Sequence, residues 1–122
     1  MVRTPNEPFV TLVIPILHDT AALASLLSSL PVDPSVQLVV VDGGSEDGSA
    51  WDALRARHPA VEWIRAPRGR GVQMNRGATR ARGRWLVFLH ADTRLGAGWL
   101  DFLRSLDPNA SPEGLAAYCG GE

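Results

Sequence analysis

Residues 85–93, WLVFLHADT, form an apolar run that ends abruptly in polar side chains. In an extended strand, alternate side chains face the same way and the chain rises about 3.3 Å per residue, so His90 and Asp92 lie on one side, roughly 7 Å apart. The two side chains could therefore share one ligand. The alternative is a strand that ends at the surface in a turn begun by Asp92 and Thr93.

The composition is that of one soluble domain. The chain has 122 residues, 45% hydrophobic and 20% charged, with a formal net charge of −1. This balance argues against a nucleic-acid partner, whereas the cluster of arginines between Arg65 and Arg82 favours a small anionic ligand. The longest apolar run, residues 9–17, is too short for a transmembrane segment, and no signal-peptide pattern is present. We expect a cytoplasmic protein, with peripheral attachment to a membrane left open.

Apolar strands alternate with helical stripes along the chain. Strands are predicted over residues 10–16, 38–41, 61–66 and 85–89. A helix is predicted after each strand, the first of them capped by Asp19 or Thr20. This order indicates an α/β domain with a mostly parallel sheet and helices on both faces. We place the domain at residues 9–106, after a leader at 1–8 and before an irregular tail at 107–122.

The ends of the predicted strands should meet at one edge of the sheet. Right-handed crossovers bring residues 15–20, 42–48 and 67–71 to the same edge as WLVFLHADT. Open α/β sheets bind ligands outside this edge, where the strand order reverses. The helix over residues 72–81 is expected to pack through Met74, Ala78 and Ala81.

Each loop at this edge offers its own ligand chemistry. Asp42 is a carboxylate acceptor for a base or a sugar hydroxyl, with an N-cap or an Asx-turn as the alternative. Glycines beside it, such as Gly44, let a ligand approach the backbone. Arg68 and Arg70, at a helix start, suit a phosphate, with solvated surface arginines as the alternative.

The polar end of WLVFLHADT suits a divalent cation. Asp92 offers a hard oxygen to Mg²⁺ or Mn²⁺, and His90 is either a second ligand or a hydrogen-bonded structural residue. Other phosphate motifs are excluded, because DGGSEDG is neither G-x-G-x-x-G nor a P-loop and the chain contains no lysine. A dehalogenase-type phosphatase is disfavoured, because His90 stands where its nucleophilic aspartate would be.

Four segments together resemble the N-terminal, donor-binding half of a family 2 glycosyltransferase with the GT-A fold. In chain order they are VTLVIPILHDT, VVVDGGSEDGS, APRGRGVQMNRGATRARG and WLVFLHADT. The resemblance covers roughly residues 9–100. It is greatest to the bacterial subgroup whose metal motif reads His-Ala-Asp-Thr and whose preceding loop reads Arg-Gly-Arg-Gly.

The resemblance implies a Rossmann-like half-domain that binds a nucleotide-diphosphate sugar. Asp42 would bind the base, and the loop at residues 68–71 would close over the nucleoside. Asp92 would hold Mn²⁺ or Mg²⁺ between the phosphates, with His90 as a candidate second ligand. The implied donor-binding residues are Pro15, Asp19, Asp42, Gly44, Arg68, Arg70, Gly71, Asn75 and Ala91.

Three positions depart from the family pattern, because His18 replaces an asparagine, Asp19 a glutamate and His90 the first aspartate of the metal motif. In the family, the acceptor site and the catalytic base lie in the second half of the domain. We therefore expect a truncated chain without a catalytic base, and self-association through an unfinished sheet edge. A sugar nucleotidyltransferase and a non-catalytic nucleotide-binding module remain the alternatives.

Overall fold

The protein was analysed as a computed structural model, which describes residues 8–30, 33–44, 48–106 and 116–119. Strands and helices alternate as the sequence predicts. The strands are β1 Val10–Ile16, β2 Val36–Asp42, β3 Glu62–Arg65, β4 Trp85–Leu89 and β5 Ala116–Cys119. The helices are α1 Thr20–Ser29, α2 Gly48–Arg57, α3 Arg70–Ala78 and α4 Trp99–Ser105. The predicted leader lies outside the described residues except for Pro8.

The five strands form one parallel sheet in the order β3-β2-β1-β4-β5. The register sets Ile16 beside Asp42, so β1 and β2 end at the same level. The strand order runs outward in one direction through β1, β2 and β3 and in the other through β4 and β5. The switch point of the sheet therefore lies between β1 and β4.

Helices cover both faces of the sheet, which confirms the predicted fold class. On one face, alternate residues of β1 such as Leu12 and Ile14 pack into a core with Leu23 and Leu26 of α1 and with residues of α2 and α4. On the other face, where α3 contacts β1 and β2, a smaller cluster contains Val13. Burial on both faces explains why the strands read as continuous apolar runs.

The packing of α3 differs from the prediction. Met74, Ala78 and Ala81 are only half-buried, whereas Gln73 and Gly77 are buried. Hydrophobic periodicity misses this contact, because the helix approaches the sheet through a residue without a side chain and through a hydrogen-bonding amide.

A buried amide also fixes the sheet at the end opposite the strand C-termini. The Gln37 side chain, 5% exposed, accepts hydrogen bonds from Thr11 Oγ1 at 2.6 Å and from the backbone N–H of Arg82 at 2.8 Å. Its Nε2 donates to Glu62 Oε2 and to the backbone oxygen of Arg80, both at 2.8 Å. This network ties the chain that follows α3 to β1, β2 and β3.

The irregular tail predicted over residues 107–122 needs one correction. Ala116–Cys119 forms β5, which pairs with β4 in parallel register from Leu86 to Leu89. The segment is four residues long and lies between Leu115 and Gly120 in a stretch rich in glycine and alanine, so no periodic pattern marks it. Residues 107–115 and 120–122 lie outside the described residues. Within the described chain, no helix is long and apolar enough to cross a membrane.

Candidate functional site

A cavity of about 230 Å³ lies at the switch point of the sheet. It is bounded by the C-terminal ends of β1 and β4 and by the first residues of α3. Its lining residues are Pro15, Ile16, Leu17, Asp19, Arg70, Gln73, His90 and Ala91. Five of the residues predicted from the sequence thus surround one space, in the position where open α/β sheets bind ligands.

The end of β1 turns sharply into α1 along one side of the cavity. His18 has a φ of 68°, in the left-handed region. Asparagine, aspartate and histidine enter this region more readily than other side chains, so a histidine is compatible with this turn. Asp19 Oδ1 accepts the backbone N–H of Ala22 at 3.2 Å and caps α1, while the residue also lines the cavity.

The end of β4 forms a tight turn on the opposite side. The backbone N–H of Thr93 donates to the oxygen of His90 at 2.9 Å. Within the turn, the backbone N–H of Asp92 donates to His90 Nδ1 at 3.1 Å. Because a backbone N–H can only donate, Nδ1 is the unprotonated nitrogen and Nε2 carries the proton of a neutral ring. His90 therefore presents a donor rather than a free lone pair.

The same turn determines which groups can hold a metal ion. The carboxylate of Asp92 is 62% exposed and lies 3.7 Å from His90 Nδ1. Among the described residues, no three His, Cys, Asp or Glu side chains come together as a preformed metal site. One open carboxylate fits a hard cation that takes its other ligands from substrate phosphates and water, as Mg²⁺ commonly does. His90 fits as a ligand only if its bond to Asp92 is broken.

The start of α3 brings one of the two predicted arginines to the cavity. Arg70 is the first helical residue and lines the cavity, while its side chain remains exposed. Arg68, Gly71 and Asn75 are also exposed, but they do not line the cavity. The structure therefore places these three beside the predicted donor site without bringing them into it.

Asp42 lies in a neighbouring cavity of about 180 Å³, whose lining also includes Trp51, Trp63 and Arg65. The carboxylate is buried, and its Oδ1 accepts the backbone N–H of Gly44 at 3.1 Å, which is an Asx-turn. Its Oδ2 lies 3.9 Å from Nε of the exposed Arg65. Asp42 thus ends its strand at the predicted edge of the sheet, one strand away from the switch point, and lines the cavity beside the one that Asp19, Arg70 and His90 surround.

Gln73 lines the main cavity but was not among the predicted site residues. It is 4% exposed, in the first turns of α3. Sequence reasoning treats a glutamine in an arginine-rich helix as a solvated residue. The available signal was its position four residues after Gly69, where a side chain can reach back to the start of its helix.

The fold and the cavity together define the class of protein. A parallel α/β sheet with a ligand cavity at its switch point is the arrangement of nucleotide-binding domains. Residues 11–103 match the family described as Glycosyl transferase family 2. This match spans more than half of the sequence, and the chain therefore belongs to glycosyl transferase family 2.

A solved structure agrees with this assignment. The chain is similar to the mannosyltransferase PcManGT from Pyrobaculum calidifontis, solved in complex with GDP-Man and Mn²⁺, with a TM-score of 0.61 and 26% sequence identity. The match covers 76% of this chain and 30% of that chain, so it spans less than a third of the mannosyltransferase. It confirms the Rossmann-like half of a GT-A fold. No curated protein is similar enough to this chain to count as a match.

Proposed function

We propose that this chain is the donor-binding half of a glycosyltransferase and that a nucleotide-diphosphate sugar binds in the cavity between β1, β4 and α3. The observation that carries the proposal is the meeting of Asp19, Arg70 and His90 around one cavity at the switch point. The similar mannosyltransferase was solved with a nucleotide sugar and Mn²⁺, which supports the same ligand class here.

Each group in and beside the cavity has a role in this proposal. Arg70 supplies positive charge to the diphosphate, and the N–H of His90 Nε2 adds a neutral donor. Pro15 and Ala91 provide apolar contact for the nucleoside, and Asp19 accepts a hydroxyl. From the neighbouring cavity Asp42 binds the base, while Gly44 leaves its backbone open to it. Arg68, Gly71 and Asn75 close over the bound donor.

We further propose that Asp92 holds Mn²⁺ or Mg²⁺ together with the phosphates of the donor. A cation bound there offsets the negative charge that develops on the leaving nucleoside diphosphate. Because one carboxylate is a weak site by itself, metal affinity should depend on the nucleotide. The His-Ala-Asp-Thr and Arg-Gly-Arg-Gly sequences support membership of the bacterial subgroup of family 2 glycosyltransferases. We also propose that the protein is cytoplasmic.

Isothermal titration with GDP, UDP and dTDP, with and without Mn²⁺, tests the proposal. We expect one of these nucleotides to bind in a Mn²⁺-dependent way. Arg70→Ala should weaken binding about tenfold or more, because a hydrogen bond to a charged group contributes about 1.5–3 kcal/mol. The control is Arg76→Ala, an exposed arginine in the last turn of the same helix, which should bind as the wild type does. Equal binding by both variants would refute the assigned site.

Donor turnover separates the alternatives. Slow, Mn²⁺-dependent release of nucleoside diphosphate from a bound nucleotide-sugar donor would support the donor-binding half of a glycosyltransferase. Binding without any release, with or without cell extract as a source of acceptor, supports a non-catalytic module instead. Release of pyrophosphate from a nucleoside triphosphate and a sugar phosphate would favour a nucleotidyltransferase.

A further inference from the structure

We infer that Gln73 is a positioning residue that sets the geometry of the cavity without binding the ligand itself. The inference rests on the proposed function, because it concerns the same cavity. Gln73 lies where α3 meets the ends of β1 and β2, and its side chain is almost completely buried.

The amide of Gln73 joins three segments of the site. Its Nε2 donates to the backbone oxygens of Ile16 at 3.1 Å and Val41 at 2.9 Å, which are the ends of two neighbouring strands. Its Oε1 accepts the backbone N–H of Gly69 at 3.2 Å, immediately before α3. The partners fix the orientation of the amide, because two carbonyl oxygens require the NH₂ group and a backbone N–H requires the oxygen.

These bonds use both N–H donors of the amide. Gln73 therefore has no donor left for a phosphate or a hydroxyl, although it lines the cavity. Its effect on a ligand is exerted through Gly69, which begins the turn that carries Arg70, and through Ile16, which lines the cavity from β1. Loss of the Gln73 amide would let Arg70 and the end of β1 move relative to each other.

Gly43 provides a second, independent observation of the same contact. Its backbone N–H donates to the oxygen of Ile16 at 3.0 Å, so it shares an acceptor with Gln73. A Cβ at position 43 would lie 2.6 Å from Gln73 Oε1 and 2.7 Å from its amide carbon. Contacts this short require the amide to move. The absence of a side chain at position 43 therefore leaves the space in which the Gln73 amide makes its hydrogen bonds.

The structure also provides a matched control for Gln73. Gln37 is a second buried glutamine that bonds neighbouring strands, but it lies at the opposite end of the sheet, near Thr11 and Arg82. Gln37→Met and Gln73→Met remove the same amide from a similarly buried position. Both variants should lose stability, whereas only the change at position 73 should alter the cavity.

The test measures binding of GDP with Mn²⁺, or of whichever nucleoside diphosphate the wild type prefers, under conditions where each variant is folded. Gln73→Met and Gly43→Ala should both bind at least about tenfold more weakly, because each displaces the segment that carries a charged contact. Gln37→Met should bind within about twofold of the wild type. Equal weakening by the two Met variants, or unchanged affinity of Gln73→Met, would overturn the inference.

Amide hydrogen exchange distinguishes failure of the inference from failure of the proposed function. In Gln73→Met, exchange should accelerate at the amide of Gly69, which loses its acceptor, more than it does in Gln37→Met. If the wild type binds no nucleotide, the proposed function and this inference both fail. If the wild type binds but exchange at Gly69 is unchanged in Gln73→Met, only the inference fails.

Discussion

Gly77 lets α3 approach the sheet that supports the cavity, and Gly77→Ala tests this approach. A Cβ at position 77 would lie 2.4 Å from Val13 Cγ1 and 3.0 Å from Val41 Cγ2. Neither valine can easily rotate away, because β-branched side chains are restricted at χ1. The helix must therefore lift from the sheet or a strand must shift.

Two opposing terms set the size of the effect. Alanine gains about 0.8–1 kcal/mol over glycine in a helix interior, whereas overpacking a tight core costs about 1–3 kcal/mol. The short contact with Val13 places this site near the upper end of that range. We expect Gly77→Ala to lower the free energy of unfolding by about 1–2 kcal/mol.

Gly71→Ala is the matched control in the same helix. A Cβ at Gly71 would meet nothing within 4 Å, so this variant should keep the stability of the wild type or gain up to about 1 kcal/mol. Urea unfolding followed by tryptophan fluorescence measures both variants, with unchanged m-values as the check that the unfolding transition is comparable. If Gly77→Ala proves as stable as Gly71→Ala, the close packing of α3 on β1 is wrong.

Two further predictions concern the turns beside the cavity. Asp19→Ala should lower the free energy of unfolding by about 1 kcal/mol in the same urea assay, because it removes the N-cap of α1. The control is Asp52→Ala, at an exposed position in the middle of α2, which should change the free energy of unfolding by less than about 0.5 kcal/mol. Equal losses in the two variants would contradict the capping role. His90→Asn, whose oxygen can still accept the Asp92 N–H, should keep more Mn²⁺-dependent nucleotide affinity than His90→Ala, and equal losses would instead indicate that His90 is a metal ligand.

The sequence was sufficient to predict the four strands and four helices that precede β5, and five of the eight residues that line the cavity. The strands and α1 could be predicted without tertiary information. A strand buried on both faces has a continuous apolar sequence, and a helix buried on one face has an apolar stripe, which α1 shows in its leucines. The segments that contain Pro15, His90 and Ala91 were predicted to meet because parallel strands end at one edge of the sheet, and the family resemblance implied their roles. The order of the strands in the sheet could not be predicted from the sequence. Because β4, and not β2, lies across the switch point from β1, Asp42 at the end of β2 lines a separate cavity.

The residues that the sequence missed act through contacts that hydrophobicity does not record. Gln73 is buried because its amide finds three backbone partners, and Gly77 is buried because it has no side chain to separate the helix from Val13. The tautomer of His90 likewise depends on a backbone N–H two residues later. None of these three features could be predicted from the sequence, since composition and spacing do not specify which backbone groups a side chain contacts.

The central claim is that a nucleotide and a divalent cation bind together at the carboxyl edge of the sheet. Paramagnetic broadening of amide NMR signals by Mn²⁺ in the presence of GDP, UDP or dTDP tests it most directly. We expect broadening at Leu17, Gly43 and Ala91. Val10 and Val36 should stay sharp, because they begin strands of seven residues and lie roughly 20 Å from the edge.

The pair Asp92→Ala and Asp101→Ala completes this measurement. Both remove an exposed carboxylate, but Asp92 directly follows Ala91 of the cavity lining, whereas Asp101 lies on α4. We predict that the local broadening disappears in Asp92→Ala and persists in Asp101→Ala. Broadening that is absent from the wild type, that centres on another part of the sheet, or that survives unchanged in Asp92→Ala would contradict the account.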